Sequence, residues 1–276
     1  MRSVVLTGAA GGIGQALASA MVARGDRVVM VDIAPDVQDI AAQLATTGPG
    51  TAKAAVADVR DSAAVQAVID RVVADVGRVD VLVNNAGVLV TGYTDELTLG
   101  HWQRAVDVNL NGVIHGVHAA YPAMAAQGHG HIVHMSALGG LTPVTLGVPY
   151  ATTAHAVVGL SLSLRGEAAA RGVQVSVVCP AVVDTPMIDA ANPPDLPALP
   201  TRLPARQAIE RRHRPVPAAA VVQDILTGMD RDQAIILTPR SARTTWAAMQ
   251  RAPLVLASQL AKDTLRWARR AATTQP

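Results

Sequence analysis

Thr7-Gly8-Ala9-Ala10-Gly11-Gly12-Ile13-Gly14 decides how this chain is read. It follows a short apolar run, Ser3 to Thr7, and opens onto a helical stretch, Gln15 to Ala23. Small residues at a strand-to-helix turn let backbone N–H groups approach an anion closely, and the helix dipole favours negative charge there. A second apolar run, Arg27 to Asp32, ends in a carboxylate 18 residues after Gly14. A glycine cluster alone marks a tight turn. Set between two strands and followed by that carboxylate, it has the pattern of a dinucleotide site, with a pyrophosphate at the helix N-terminus and the aspartate accepting hydrogen bonds from ribose hydroxyls. The candidate cofactor residues are Gly8, Gly11, Gly12, Ile13, Gly14 and Asp32. Asp36 and Asp39 lie close by, and no Lys or Arg occurs between residues 28 and 52. A 2′-phosphate would be repelled, so NAD(H) is expected rather than NADP(H).

Outward from this turn the same alternation continues. Apolar β-branched runs recur at Ala54 to Asp58, Val79 to Val83, His131 to Ser136 and Val173 to Cys179, separated by Ala-rich helical stretches. They are continuously apolar rather than alternating, as expected for parallel strands covered on both faces. The fold class is therefore α/β: a Rossmann-like, doubly wound parallel sheet in a three-layer α/β/α domain. After Pro180 the texture changes. Residues 193 to 217 carry seven of the 17 prolines and read as a loop or lid, about 182–217. A helix over Ala218 to Met229, a last strand over Ala234 to Thr238 and a long helix from Ala242 to Ala272, interrupted at Pro253, complete the chain. The expected organisation is one domain over 1–240 and a C-terminal helical tail over 241–276.

The chain has 276 residues, 50% hydrophobic and 16% charged, which excludes a disordered protein. No stretch of 18 apolar residues is present to span a bilayer. The N-terminus lacks the longer apolar core of a secretion signal, and Cys179 is the only cysteine, so a reducing, cytoplasmic location is expected. The formal net charge of +2 hides an asymmetry: residues 1–200 hold 10 basic and 16 acidic residues, and residues 201–276 hold 13 and 5.

The run Thr7 to Gly14, Asp58-Val59, Asn84-Asn85-Ala86-Gly87, Asn109 in Val108-Asn109-Leu110, Tyr150 in Pro149-Tyr150-Ala151, and Pro180 to Thr185 occur in this order. Together they resemble the short-chain dehydrogenase/reductase family over about residues 1 to 190. The resemblance implies adenine contacts from Asp58 and Val59, cofactor support from Asn85, Ala86 and Gly87, and nicotinamide contacts from Pro180, Val183 and Thr185, with Ala181 where the family usually has glycine. It also implies that Tyr150 is the general acid/base, that Asn109 supports a water relay, and that a serine and a lysine assist. Those last two are missing: thirteen residues before Tyr150 stands Ala137, and four after it stands Ala154. Ser136 is the neighbouring candidate, although side chains at 136 and 137 of a strand point to opposite faces. His155 lies about 140° around the helix from Tyr150, where a cation does little for it.

An ordinary tyrosine has a pKa of about 10, so forming phenolate at pH 7 costs about 4 kcal/mol. Without the lysine Tyr150 is a proton donor and a poor base. Three functions follow: a reductase acting on an apolar ketone or secondary alcohol, a non-redox isomerase, cyclase or dehydratase that polarises a carbonyl through Tyr150, or a catalytically silent NAD-binding protein. The segments Val88 to Tyr93 and Leu138 to Leu146, expected beside the nicotinamide, are almost uncharged, which favours a small apolar substrate. A homodimer or homotetramer is expected.

Other features read more simply. His131 and His134 have opposite strand parity and cannot converge on one metal ion with His129, so no metal site is expected. His115 and His118 read as surface or packing residues and Cys179 as a small buried hydrophobe. In the tail, Leu256, Leu260, Ala261, Leu265, Trp267 and Ala268 fall on one helical arc, with Lys262, Arg266, Arg269 and Arg270 opposite. Such a helix packs on its own domain or another subunit, with peripheral contact to an anionic membrane as the alternative. Little aromatic interleaving accompanies the charge, so no nucleic-acid role is expected.

Overall fold

A computed structural model of the chain describes residues 1–199, 206, 214–255 and 257–262. The strands are β1 (Ser3–Thr7), β2 (Arg27–Asp32), β3 (Thr51–Val56), β4 (Val81–Asn84), β5 (Gly130–Met135), β6 (Val173–Pro180), β7 (Val183–Asp184), β8 (Val216–Pro217) and β9 (Ile235–Thr238). The α-helices are α1 (Gly12–Ala23), α2 (Val37–Leu44), α3 (Ser62–Val76), α4 (Leu99–Val106), α5 (Gly112–Gln127), α6 (Val148–Ala168), α7 (Pro186–Asp189), α8 (Ala218–Asp230) and α9 (Ser241–Arg251). Seven strands form one parallel sheet in the order β3-β2-β1-β4-β5-β6-β9. The order reverses between β1 and β4, and a crevice beyond the carboxyl ends of those two strands is where such sheets bind ligands.

The continuous apolar runs are explained by two-sided burial. Val4 and Leu6 of β1, Val81 and Val83 of β4, and Val133 of β5 pack with α1, α2 and α8. Their neighbours Val5, Leu82 and Ile132 face the other way and pack with α3, α5 and Ala168 of α6. Alternate side chains of one strand thus feed two separate cores. A third cluster joins Val177 and Cys179 of β6, Val157 of α6, Leu237 of β9 and Ala242, with Trp246 of α9 against it.

The sequence places β1 and β2 at their observed bounds and misplaces others. β3 runs over Thr51–Val56 rather than Ala54 to Asp58, and β4 over Val81–Asn84 rather than Val79 to Val83. β3 is the sheet edge, paired only with β2, and its partly exposed residues give a weak apolar signal. The lid is more regular than its prolines suggest, since β7 and β8 pair in parallel and α7 follows β7. The tail helix breaks at Ala252, beside the interruption expected at Pro253, and its arc beyond Lys262, with Leu256, lies outside the described residues.

Two histidines are built into the sheet as neutral groups. His131 meets the Ser176 hydroxyl at 2.9 Å and His134 meets the Asn84 amide at 3.1 Å. Burial holds their pKa values down to about 4 and about 3. The unfolded chain takes up these two protons as pH falls below about 6.5, and the folded chain does not until far lower pH. Stability is therefore full above pH 6.5 and falls by about 2 kcal/mol per histidine at pH 5. Urea unfolding of the wild type at pH 7.5 and pH 5 will show this loss, and His131→Gln, which keeps a hydrogen-bonding group beside Ser176, will remove about half of it.

Candidate active site

The glycine-rich turn has the geometry its sequence requires. Gly8 has a φ of 64°, and a Cβ at Gly14 would lie 2.0 Å from the Gly8 carbonyl oxygen. Gly12 also has positive φ and sits against the Thr185 side chain, so the base of the lid packs on the turn. α1 begins at Gly12 with Gly11 as its N-cap and no side-chain cap, which leaves its first N–H groups for a ligand. Ile13 is half-buried. Across the switch point, the Asn85 and Ala86 N–H groups donate to Thr7 Oγ1 at 3.0 and 3.1 Å, and Asn85 Nδ2 donates to Thr7 O and Gly8 O at 3.0 and 2.9 Å. Gly87 follows, with the Met187 methyl 3.6 Å from where its Cβ would be.

Asp32 closes β2. One carboxylate oxygen accepts from Ala10 N–H at 2.9 Å and the other from Ala34 N–H at 3.0 Å. Those bonds aim the carboxylate and leave each oxygen a further lone pair for a ribose hydroxyl. Asp58 is held by a forked pair with Arg60, at distances down to 2.6 Å, which keeps its carboxyl below the usual range. The Val59 carbonyl accepts from His115 Nδ1 at 2.8 Å. The glycine turn, the Asp32 carboxylate and the Asp58-Val59 loop thus form a cradle that fits a dinucleotide. Pro180 ends β6, Val183 is buried in β7 and Thr185 caps α7, bringing that segment beside the cradle.

Tyr150 sits in the first turn of α6, which starts at Val148 with Pro149 in its opening turn. The ring is half-buried, and among the described residues its hydroxyl has no hydrogen-bond partner. Desolvation, with the Cys179 thiol adding to it, pushes the phenol up to about 12. Ala137 and Ala154 are both buried. Ser136 Oγ donates to the Ala154 carbonyl at 2.9 Å. The register shift that would let Ser136 stand in for Ala137 is not made: Ala137 is extended and begins a short 3-10 turn, so the two side chains diverge. His155 is exposed and turns Nδ1 to the Ala151 carbonyl at 2.9 Å.

Asn109 lies in a single π turn, Asp107–Asn111, between α4 and α5. Its Oδ1 accepts from Val88 N–H at 2.8 Å while its Nδ2 donates to Val88 O at 3.0 Å and to Thr153 Oγ1 at 3.3 Å. Thr153 in turn donates to the Tyr150 carbonyl at 2.9 Å. Asn109 therefore ties the Val88 loop to the helix that carries Tyr150.

Several side chains of the site carry no local sequence signal. Asn192 and Thr91, 101 residues apart, exchange two hydrogen bonds of 2.9 and 2.7 Å. Asp195 forms a forked pair with Arg104, and Leu199 joins Val88, Val90 and Trp102 in an apolar cluster. Arg206 bridges Asp184 and Asp189. These contacts close the described part of the lid over the Val88 loop. Only Arg60, two residues from Asp58, was within reach of a local spacing argument.

Comparison with known proteins agrees with this geometry. Residues 2–195 match the short chain dehydrogenase family, and the chain belongs to it. Oxidoreductase UcpA of Escherichia coli is 37% identical over 199 residues, covering 70% of this chain and 75% of that protein. A short chain dehydrogenase/reductase of Burkholderia phymatum, in complex with NAD, superposes with a TM-score of 0.83 at 29% identity, over 92% of this chain and 94% of that one. A short-chain dehydrogenase of Sphingobium yanoikuyae, in complex with NADPH, superposes at 0.75 and 26% identity, over 94% and 95%. This is a nicotinamide-dependent oxidoreductase family on a Rossmann fold.

The crowded approach at Gly14 gives a direct check. Gly14→Ala must displace the Gly8 carbonyl from the turn. Calorimetric titration with NADH is expected to show at least a tenfold weaker Kd, with far-UV circular dichroism unchanged.

Proposed function

We propose that this chain is an NAD(H)-dependent oxidoreductase that reduces a small apolar ketone to its secondary alcohol, with Tyr150 donating the proton. The observation that carries the reading is the Tyr150 hydroxyl, which has neither a hydrogen-bond partner nor a cation beside it among the described residues and has Ala154 where a lysine would stand. Desolvation raises its pKa above the ordinary phenol value, which makes Tyr150 a poor base and leaves it a competent donor. Reduction asks only for donation, because the carbonyl oxygen collects a proton as it becomes a hydroxyl. When bound, the nicotinamide supplies the hydride chemistry. Asp32, unpaired with any cation among the described residues, would hold the adenosine ribose and repel a 2′-phosphate, which supports NAD(H).

The substrate class is inferred from the apolar character of the segments flanking Tyr150 in the fold. Val88, Val90, Leu97, Trp102 and Leu199 pack together, and Leu138 and Leu141 pack on the Val177–Cys179 cluster. Such segments suit an uncharged substrate. Ile114 of α5 and Leu162 of α6 are exposed aliphatics, which supports association into a homodimer or homotetramer. We place the protein in the cytoplasm, where a lone buried thiol stays reduced.

A second reading is a non-redox enzyme on the same scaffold, an isomerase, cyclase or dehydratase in which Tyr150 polarises a carbonyl. It is favoured by the diversion of Ser136 to the Ala154 carbonyl. The two readings separate on one pair of measurements. Wild type is expected to oxidise NADH with an apolar ketone at a rate flat between about pH 7 and 9, and to give little alcohol oxidation. The double variant Ala137→Ser, Ala154→Lys is expected to raise alcohol oxidation at least a hundredfold and to bring a pH break into that range. No NADH turnover by either protein, with NADH binding intact, would sink the redox reading.

A further inference from the structure

Beyond α9 the described chain is mostly exposed. α9 itself is seated by Ala242, 1% exposed, and by Trp246 against the Leu237 cluster. After the break at Ala252 the chain resumes as helix at Pro253, and most of its described side chains face solvent. Leu254 is 81% exposed and Val255 67%. A single exposed leucine is ordinary, but two adjacent aliphatics on one arm are apolar surface without cover.

The cations of this arm are equally without partners. Arg240, Arg243, Arg251 and Lys262 are exposed, and none pairs with a carboxylate among the described residues. In the body, by comparison, Arg2, Arg24, Arg60, Arg78, Arg104 and Arg165 each face an aspartate. From residue 240 to the end the sequence holds seven Lys and Arg against one Asp.

We propose that this C-terminal arm docks on an anionic lipid surface, with Leu254 and Val255 entering the interface and Arg240, Arg243, Arg251 and Lys262 meeting the headgroups. A membrane of this kind offers an apolar layer directly beside negative charge, which is the pairing the arm presents. A contact in which the arm meets the same arm of a second copy fits worse, because it would bring like charges together. Among the described residues no helix is long and apolar enough to cross a membrane, so the contact is peripheral.

The test is sedimentation of the full-length protein with vesicles of one part phosphatidylglycerol to two parts phosphatidylcholine, and with vesicles of phosphatidylcholine alone. Binding is expected to the mixed vesicles and to weaken steeply with added salt. Leu254→Ser with Val255→Ser, and separately Arg240→Gln with Arg243→Gln and Arg251→Gln, are each expected to cut partitioning at least tenfold. Both variants alter exposed positions, and circular dichroism will verify their folds. Equal sedimentation with neutral vesicles, or partitioning unchanged in both variants, would overturn the proposal. So would a smaller oligomer for the Leu254→Ser, Val255→Ser variant with vesicle binding intact, which would assign the apolar patch to a second copy.

Discussion

The hydroxyl of Thr7 holds this molecule together at the point where its topology divides. It receives N–H bonds from Asn85 and Ala86, while the Asn85 amide returns two bonds to the Thr7 and Gly8 carbonyls. β1 and β4 pair in the sheet up to Leu6 and Val83, and beyond that ladder the Thr7 bonds carry the register on to the loop ends. The knot of four hydrogen bonds fixes the glycine turn against the Asn85 loop and so sets the width of the cofactor cleft. Everything downstream inherits that geometry: the Val88 loop is tied by Asn109 to α6, and α6 carries Tyr150.

Much of this was legible in the residues. The turn Thr7 to Gly14 and the carboxylate of Asp32 announce a strand, an anion site and a ribose contact because each imposes its own chemical demand on residue type. Two-sided burial made β1, β2 and β6 readable, since most positions along them are apolar. The edge strand β3 was shifted because half its residues meet solvent and carry no pattern. The lid contacts could not be read at all. Asn192 with Thr91, and Asp195 with Arg104, are pairings of common polar residues about a hundred positions apart, and the chain gives no local sign that they meet.

Around Tyr150 the sequence and the structure speak to different questions. The alanines at 137 and 154 tell which groups are missing, and the coordinates tell what the survivors do. Ser136 satisfies a backbone carbonyl of α6, and Asn109 spends its side-chain amide on the Val88 loop and on Thr153 of α6. Under the proposed reading, hydrogen bonds still position Tyr150 while alanines occupy the two places from which its phenol would be assisted.

Ala154 has a consequence for the fold itself. Its position is enclosed, with the Ser136 hydroxyl on its carbonyl, and a lysine there would bring an ammonium into a region that strips its hydration. Active sites commonly sacrifice stability to hold such groups, and proteins that give them up recover part of it. With a methyl group at 154 the first two turns of α6 pack as plain structure, so their rigidity does not depend on a bound dinucleotide to neutralise or solvate a charge. In this chain the unliganded and liganded forms should differ less in local resistance to unfolding than in a relative that keeps the lysine.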